Sequence, residues 1–106
     1  MFLLDTDTLI YSLKGDSKVI ANFRAHLEDP KSLSVITYGE LLYGAQKSAY
    51  VTENLAKVRR IKELFPVIDV SPAIMETFVA LKAYLSIGVT VVDDFDMIIG
   101  ATALTL

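Results

Sequence analysis

The sequence contains no cysteine, no tryptophan and a single histidine, and only three of its 106 residues are proline. Without cysteine there is neither a disulfide framework nor a thiolate metal site, which is compatible with a reducing compartment. His26 alone cannot complete a nitrogen or sulfur metal site, so it reads as an ordinary surface or half-buried histidine. No Ser/His/Asp or Cys/His set supplies an activated nucleophile, and no Walker or dinucleotide glycine pattern is present. No apolar run approaches the ~18 residues of a membrane span, and the N-terminus lacks the succession typical of a signal peptide. A soluble cytoplasmic protein with no membrane contact is therefore expected. The net charge is only −3. A polyanionic partner would have to find a local basic patch, since no overall electrostatic footprint exists for it.

What the chain does have is apolar residues, 53% of the total, enough for one small domain with a substantial core. Residues 2–4 are an apolar strand that ends at Asp5. Leu9, Ile10 and Leu13 share a helical face, closed by Gly15. Ser17 is expected to cap a second helix bearing Val19, Ile20, Phe23 and Leu27 and closed by Asp29 and Pro30. Residues 32–36 read as a β-branched second strand. Thr37 and Glu40 then fit a Ser/Thr-x-x-Glu capping box opening a third helix. Gly39 and Gly44 each weaken that helix by roughly 1 kcal/mol relative to alanine, which suggests close packing or close backbone approach. A fourth helix over residues 52–64 directs Leu55, Val58, Ile61 and Leu64 inward. Lys57, Arg59 and Arg60 on it are candidate phosphate contacts, against the plainer reading of a solvated helix face. Residues 67–70 form a third strand. Ser71 and Pro72 open a fifth helix with Ile74, Phe78, Leu81 and Leu85 on one face, ended by Gly88. Residues 89–92 lead to Asp93, Asp94 and Asp96, and the helix after them has so few polar residues that it should be buried nearly all round.

Strands alternating with helices, and a two-helix connection after each of the first two strands, predict an α/β domain with a parallel sheet flanked by helices. Sites in such sheets form at the carboxyl ends of the strands, where Asp5, Asp7 and Glu40 would lie. Each carboxylate alone is explained by a helix N-terminus, where it complements the macrodipole and accepts orphan N–H groups. Glu40 would then be the reciprocal member of its capping box, and Asp93 an N-cap with Asp96 at the third helical position. Gathered at one sheet edge, however, like charges repel unless a cation lies between them. Hard cations of the Mg²⁺ or Mn²⁺ class take oxygen ligands and need no His or Cys. Such an ion binds a phosphodiester and activates water for in-line attack.

Three blocks carry a resemblance. Leu4-Asp5-Thr6-Asp7-Thr8-Leu9-Ile10-Tyr11, then Ser34-Val35-Ile36-Thr37-Tyr38-Gly39-Glu40-Leu41-Leu42-Tyr43-Gly44-Ala45, then Asp94-Phe95-Asp96-Met97-Ile98-Ile99-Gly100-Ala101-Thr102-Ala103-Leu104 together resemble a PIN domain. They are similar in particular to the VapC-type toxins of prokaryotic toxin–antitoxin modules. The resemblance implies a three-layer α/β fold and a Mg²⁺- or Mn²⁺-dependent endoribonuclease, with a metal-activated water as nucleophile. It also implies silencing by a VapB-like antitoxin and a homodimer. Asp5, Glu40 and Asp96 match the catalytic acids. Asp5 and Asp96, with Asp94 as an auxiliary, are the implied metal ligands. Thr6, Asp7 and Thr37 are the polar neighbours expected beside them. Members of the family continue past this last helix into further strands that pair beside the first strand. The expectation is thus a PIN-like domain over residues 1–106, incomplete at its C-terminus, with its first strand left at an edge. Two other functions stay open: a catalytically weak PIN-like scaffold for dimerisation and antitoxin capture, and a nuclease acting on DNA or maturing RNA. Tyr11, Tyr38, Tyr43 and Tyr50 are candidate interface aromatics for the first of these, though core or half-buried placement is expected for most.

Overall fold

The computed structural model describes residues 2–26, 28–85 and 93–106, leaving aside the side chains of Phe2, Tyr11, Ser12, Leu13 and Phe23. It divides into two compact units, residues 1–68 and 69–106, which are taken separately.

The first unit runs β1 (Phe2–Leu3), α1 (Thr6–Leu13), α2 (Ser17–Ala25), β2 (Lys31–Ser34), α3 (Val35–Gln46), α4 (Val51–Leu64) and β3 (Val67–Ile68). The three strands form a parallel sheet in the order β1-β2-β3. Phe2 lies opposite Lys31 and Leu3 opposite Ser32, while Leu33 lies opposite Val67 and Ser34 opposite Ile68. Parallel strands require crossover connections, and the helix pairs α1–α2 and α3–α4 provide them, as the alternating pattern predicts. β1 lies at the edge of this sheet among the described residues. The core gathers Leu4, Leu9, Leu33, Leu41, Ala45, Val58 and Ile61, so β2 and the inner faces of α1, α3 and α4 meet in one apolar cluster.

Local caps decide several boundaries differently from the sequence pattern. α2 is capped by Asp16, whose Oδ1 accepts from the Lys18 and Val19 N–H groups at 3.0 and 3.1 Å, and Ser17 is already helical. The helix ends at Ala25, short of Leu27, which lies outside the described residues. The second strand stops at Ser34, not Ile36. The Ser34 hydroxyl accepts from the Ile36 N–H at 3.1 Å and makes Ser34 the N-cap of α3. Side-chain capping thereby overrides the β-propensity of Val35 and Ile36. The third strand is likewise two residues rather than four. On α4, Val58 and Ile61 are buried as expected, but Leu64 is 58% exposed. Tyr43 and Tyr50 also face solvent, at 67% and 69%, while Tyr38 packs half-buried against the core; the Tyr11 side chain lies outside the described residues. The glycines of α3 have no packing reason: beyond the adjoining residues and the helix's own backbone, a Cβ added at Gly39 or Gly44 meets no atom within 4 Å among the described residues.

The second unit consists of α5 (Pro72–Leu85) and α6 (Asp94–Thr105). Ser71 Oγ accepts from the Ile74 N–H at 3.2 Å, which with Pro72 in the first turn fixes the start of α5 as read from the sequence. Thr77 is hydrogen-bonded to Thr105 at 2.9 Å and Lys82 pairs with Asp94 at 3.1 Å, so the two helices run antiparallel. Ile74 and Phe78 are buried on α5, and Met97, Ala101 and Thr102 on α6. The last helix is therefore not buried all round, because Phe95 and Leu104 are exposed. Gly88 and the segment 89–92 lie outside the described residues. No helix among the described residues is long and apolar enough to cross a membrane.

Candidate functional site

Asp5 lies two residues past β1 and immediately before α1. Its Oδ1 accepts the Thr8 N–H at 2.7 Å, and its carbonyl accepts the Leu9 N–H at 3.2 Å. It thus does serve as a helix cap. That duty occupies one carboxylate oxygen, and Oδ2 accepts no hydrogen bond among the described residues.

Glu40 is different. Because α3 starts at Val35 with Ser34 as its cap, Glu40 is the sixth helical residue and takes no part in capping. The capping-box reading of Thr37 and Glu40 is overturned. Glu40 Oε1 instead accepts from Thr6 Oγ1 at 2.8 Å, across 34 residues of chain. This bond joins Thr6, the residue after Asp5, to α3 and holds the half-buried Glu40 carboxylate in one orientation. Asp7 is exposed in the first turn of α1.

Thr37 lies one turn before Glu40 on the same helix, is 0% exposed, and has no hydrogen-bond partner for Oγ1 among the described residues. A buried hydroxyl without a partner costs about 1–3 kcal/mol of desolvation. Thr37→Val keeps the shape and removes that cost. We expect it to raise the unfolding free energy by about 1 kcal/mol in urea denaturation; no gain would mean that the hydroxyl is satisfied in solution.

In the second unit, Asp93 caps α6, its Oδ1 accepting from the Phe95 and Asp96 N–H groups at 2.8 and 3.4 Å. Asp94 is held by Lys82, a residue the sequence pattern did not single out, in an exposed pair worth about 0–1 kcal/mol. Asp96 is exposed at the third helical position. Among the described residues no group of three or more His, Asp or Glu side chains is placed to hold an ion. The donor chemistry nonetheless suits a hard divalent cation. All the candidates are carboxylates, and Asp5 and Glu40 each keep one oxygen free of hydrogen bonds among the described residues.

Of the basic residues of α4, Lys57 lines a cavity that also contains Glu40. Arg59 is exposed, and Arg60 pairs with Glu63 at 3.2 Å on the solvated face. Lys14 and Asn54 line the same cavity and were missed. Helical spacing places Asn54 beside Lys57 and Val58, but it does not tell which helix faces them.

The family model described as PIN domain matches residues 2–106. The chain belongs to the PIN domain family. Among its PIN relatives, ribonuclease VapC2 of Haemophilus influenzae is 30% identical over 103 residues, covering 96% of this chain and 77% of the relative. The DNA-bound VapBC structure from Salmonella typhimurium superposes with a TM-score of 0.89 at 30% identity, over 98% of this chain and 79% of the other. A toxin–antitoxin complex from Klebsiella pneumoniae superposes with a TM-score of 0.77 at 28% identity, over 98% of this chain and 78% of that one. The α/β architecture read from the strand and helix alternation is thus the PIN fold.

Proposed function

We infer that this PIN-family protein is an endoribonuclease toxin of a toxin–antitoxin pair, cleaving RNA phosphodiester bonds with Mg²⁺ or Mn²⁺ as cofactor. The observation that carries the reading is the 30% identity to a ribonuclease VapC over nearly the whole chain. The start of α3 at Val35 supports it locally, because with Ser34 as the cap Glu40 has no capping duty, and the Thr6 hydroxyl orients its carboxylate.

Asp5, Glu40 and Asp96 are the residues assigned to hold the ion, with Asp94 as an auxiliary. A bound divalent cation would supply Lewis-acid stabilisation of the phosphoryl oxygens and lower the pKa of water. The protein's own contribution is orientation. The Thr8 N–H fixes Asp5 Oδ1 and the Thr6 hydroxyl fixes Glu40 Oε1, so each carboxylate presents its remaining oxygen without having to be ordered when substrate arrives. Asp7, beside Thr6, is a polar neighbour with no assigned contact. The similar VapBC structure from Salmonella typhimurium and toxin–antitoxin complex from Klebsiella pneumoniae support a VapB-like antitoxin as partner. The exposed Val79, Tyr84 and Leu104 are apolar surface suited to a second subunit, and they also favour the alternative of a binding scaffold without activity.

Incubation with single-stranded RNA, structured RNA and DNA separates these readings. Cleavage of RNA with Mg²⁺ or Mn²⁺, lost on chelation and restored on adding the ion back, is the expected result. Cleavage that persists in chelator rejects the cofactor, cleavage of DNA alone rejects the RNA substrate, and no cleavage under any condition leaves the scaffold.

A further inference from the structure

A cavity of about 290 Å³ opens between α1, α3 and α4 within the first unit, and Glu40 forms part of its wall. Its floor is apolar, made by Ile10, Leu41 and Val58. Lys14 and Lys57 stand on it, and neither is in an ion pair among the described residues. Against the single carboxylate of the wall, Glu40, these two lysines leave the cavity with a local positive excess in a chain of net charge −3, which favours an anion.

Two further observations describe what the cavity offers a ligand, open space and a hydrogen-bond acceptor. Gly44 lies mid-helix in α3, where glycine costs roughly 1 kcal/mol relative to alanine, yet beyond the adjoining residues and the helix's own backbone a Cβ at that position would meet nothing within 4 Å among the described residues. Gly44 lines the cavity, so what its missing side chain leaves open is cavity space over bare helix backbone. Asn54 is the second. Ser48 Oγ donates to the Ala45 carbonyl at 2.6 Å, so toward Asn54 it can only accept, and it does so from Nδ2 at 2.8 Å. The carboxamide is thereby locked with Nδ2 on Ser48, and Oδ1 is left as an acceptor.

We propose that this cavity is a nucleotide subsite for the RNA substrate next to the scissile position, taking one base that carries an exocyclic amine. The proposal rests on the ribonuclease reading above. Lys14 and Lys57 hold the backbone phosphates, the apolar floor takes the face of the base, and Asn54 Oδ1 accepts from the amine of adenine, cytosine or guanine. Uracil is disfavoured, because its single N–H is flanked by two carbonyl oxygens that would face the same acceptor. The size suits one base rather than a larger ligand. An apolar side chain of a protein partner is the competing occupant, and the unpaired lysines favour the polyanion.

The test is fluorescence polarisation with labelled eight-nucleotide A, C and U homopolymers in chelator, where binding is read without cleavage. Lys14→Ala and Lys57→Ala are each expected to lower the slope of log affinity against log salt by about 0.7. Gly44→Leu should weaken all three RNAs about tenfold, a loss of the size expected for removing one bound base, with an unchanged circular dichroism spectrum. Asn54→Ala should weaken A and C oligomers about fivefold, as for one lost hydrogen bond, and leave U unchanged. If the unaltered protein cleaves RNA in Mg²⁺ while all four variants bind within twofold of it, the subsite is overturned and the ribonuclease reading stands. If the unaltered protein neither binds nor cleaves RNA, both fall. Variants that bind RNA normally but no longer co-purify with a protein partner assign the cavity to that partner and overturn the subsite.

Discussion

An Asp5→Asn variant is expected to cleave RNA about 10²-fold or more slowly than the unaltered protein while unfolding with nearly the same free energy. The separation follows from the two duties of Asp5. As the cap of α1 it needs only an oxygen to accept the Thr8 N–H, now at 2.7 Å, and asparagine supplies one. As a candidate cation ligand it needs the negative charge, which asparagine lacks. The loss of a charge at a helix N-terminus costs about 0.3–1 kcal/mol, so urea unfolding should move by no more than that. Asp5→Ala removes both duties and should add roughly 1 kcal/mol of destabilisation to the same loss of cleavage. The pair of variants is therefore informative in a way that either alone is not. If Asp5→Asn cleaves normally and Asp5→Ala is merely less stable, Asp5 is a cap and nothing more.

The two carboxylates of the first unit were legible in the sequence to different degrees. Asp5 announces itself at the end of an apolar strand, and the structure keeps it there. Glu40 looked like half of a capping box because Thr37 precedes it by three residues. The box fails because Ser34, three residues earlier again, caps the helix first. Two overlapping cap signals cannot be ranked from sequence, since both are worth about 1 kcal/mol and the decision rests on where β2 stops pairing with β3. The same competition explains why Val35 and Ile36 are helical despite their β-branched side chains. In the second unit the signals did not compete: Asp93 caps α6 and Ser71 caps α5 where the pattern put them. What the sequence could not contain is the contact across 34 residues between Thr6 and Glu40, or the meeting of Lys14, just past α1, and Lys57 of α4 at one cavity. Those depend on the crossover of α1 and α2 back to a parallel sheet. The motif resemblance, not periodicity, is what brought Thr6 to attention at all.

The largest effect on stability is expected at Leu33. It is 0% exposed and lies in β2, the middle strand of the described sheet, paired opposite Val67 of β3 and preceded by Lys31 and Ser32, which pair with β1. Its N–H donates to the Pro66 carbonyl at 3.0 Å. Leu→Ala substitutions cost about 2–5 kcal/mol, and the value within that range depends on how far the surroundings collapse into the cavity. Here β2 is held in register from both sides, and the side chain belongs to the cluster formed by Leu4, Leu9, Leu41 and Val58. Backbone fixed by two ladders cannot move in to fill the space. Leu33→Ala is therefore expected in the upper half of the range, about 3–5 kcal/mol by urea denaturation, against a total of about 5–15 kcal/mol for a domain. Leu33→Ile, which conserves volume and suits a strand, should cost less than about 1.5 kcal/mol. A loss below that figure for the alanine variant would show that the sheet relaxes around the gap, and that Leu33 is not the anchor its burial and pairing make it.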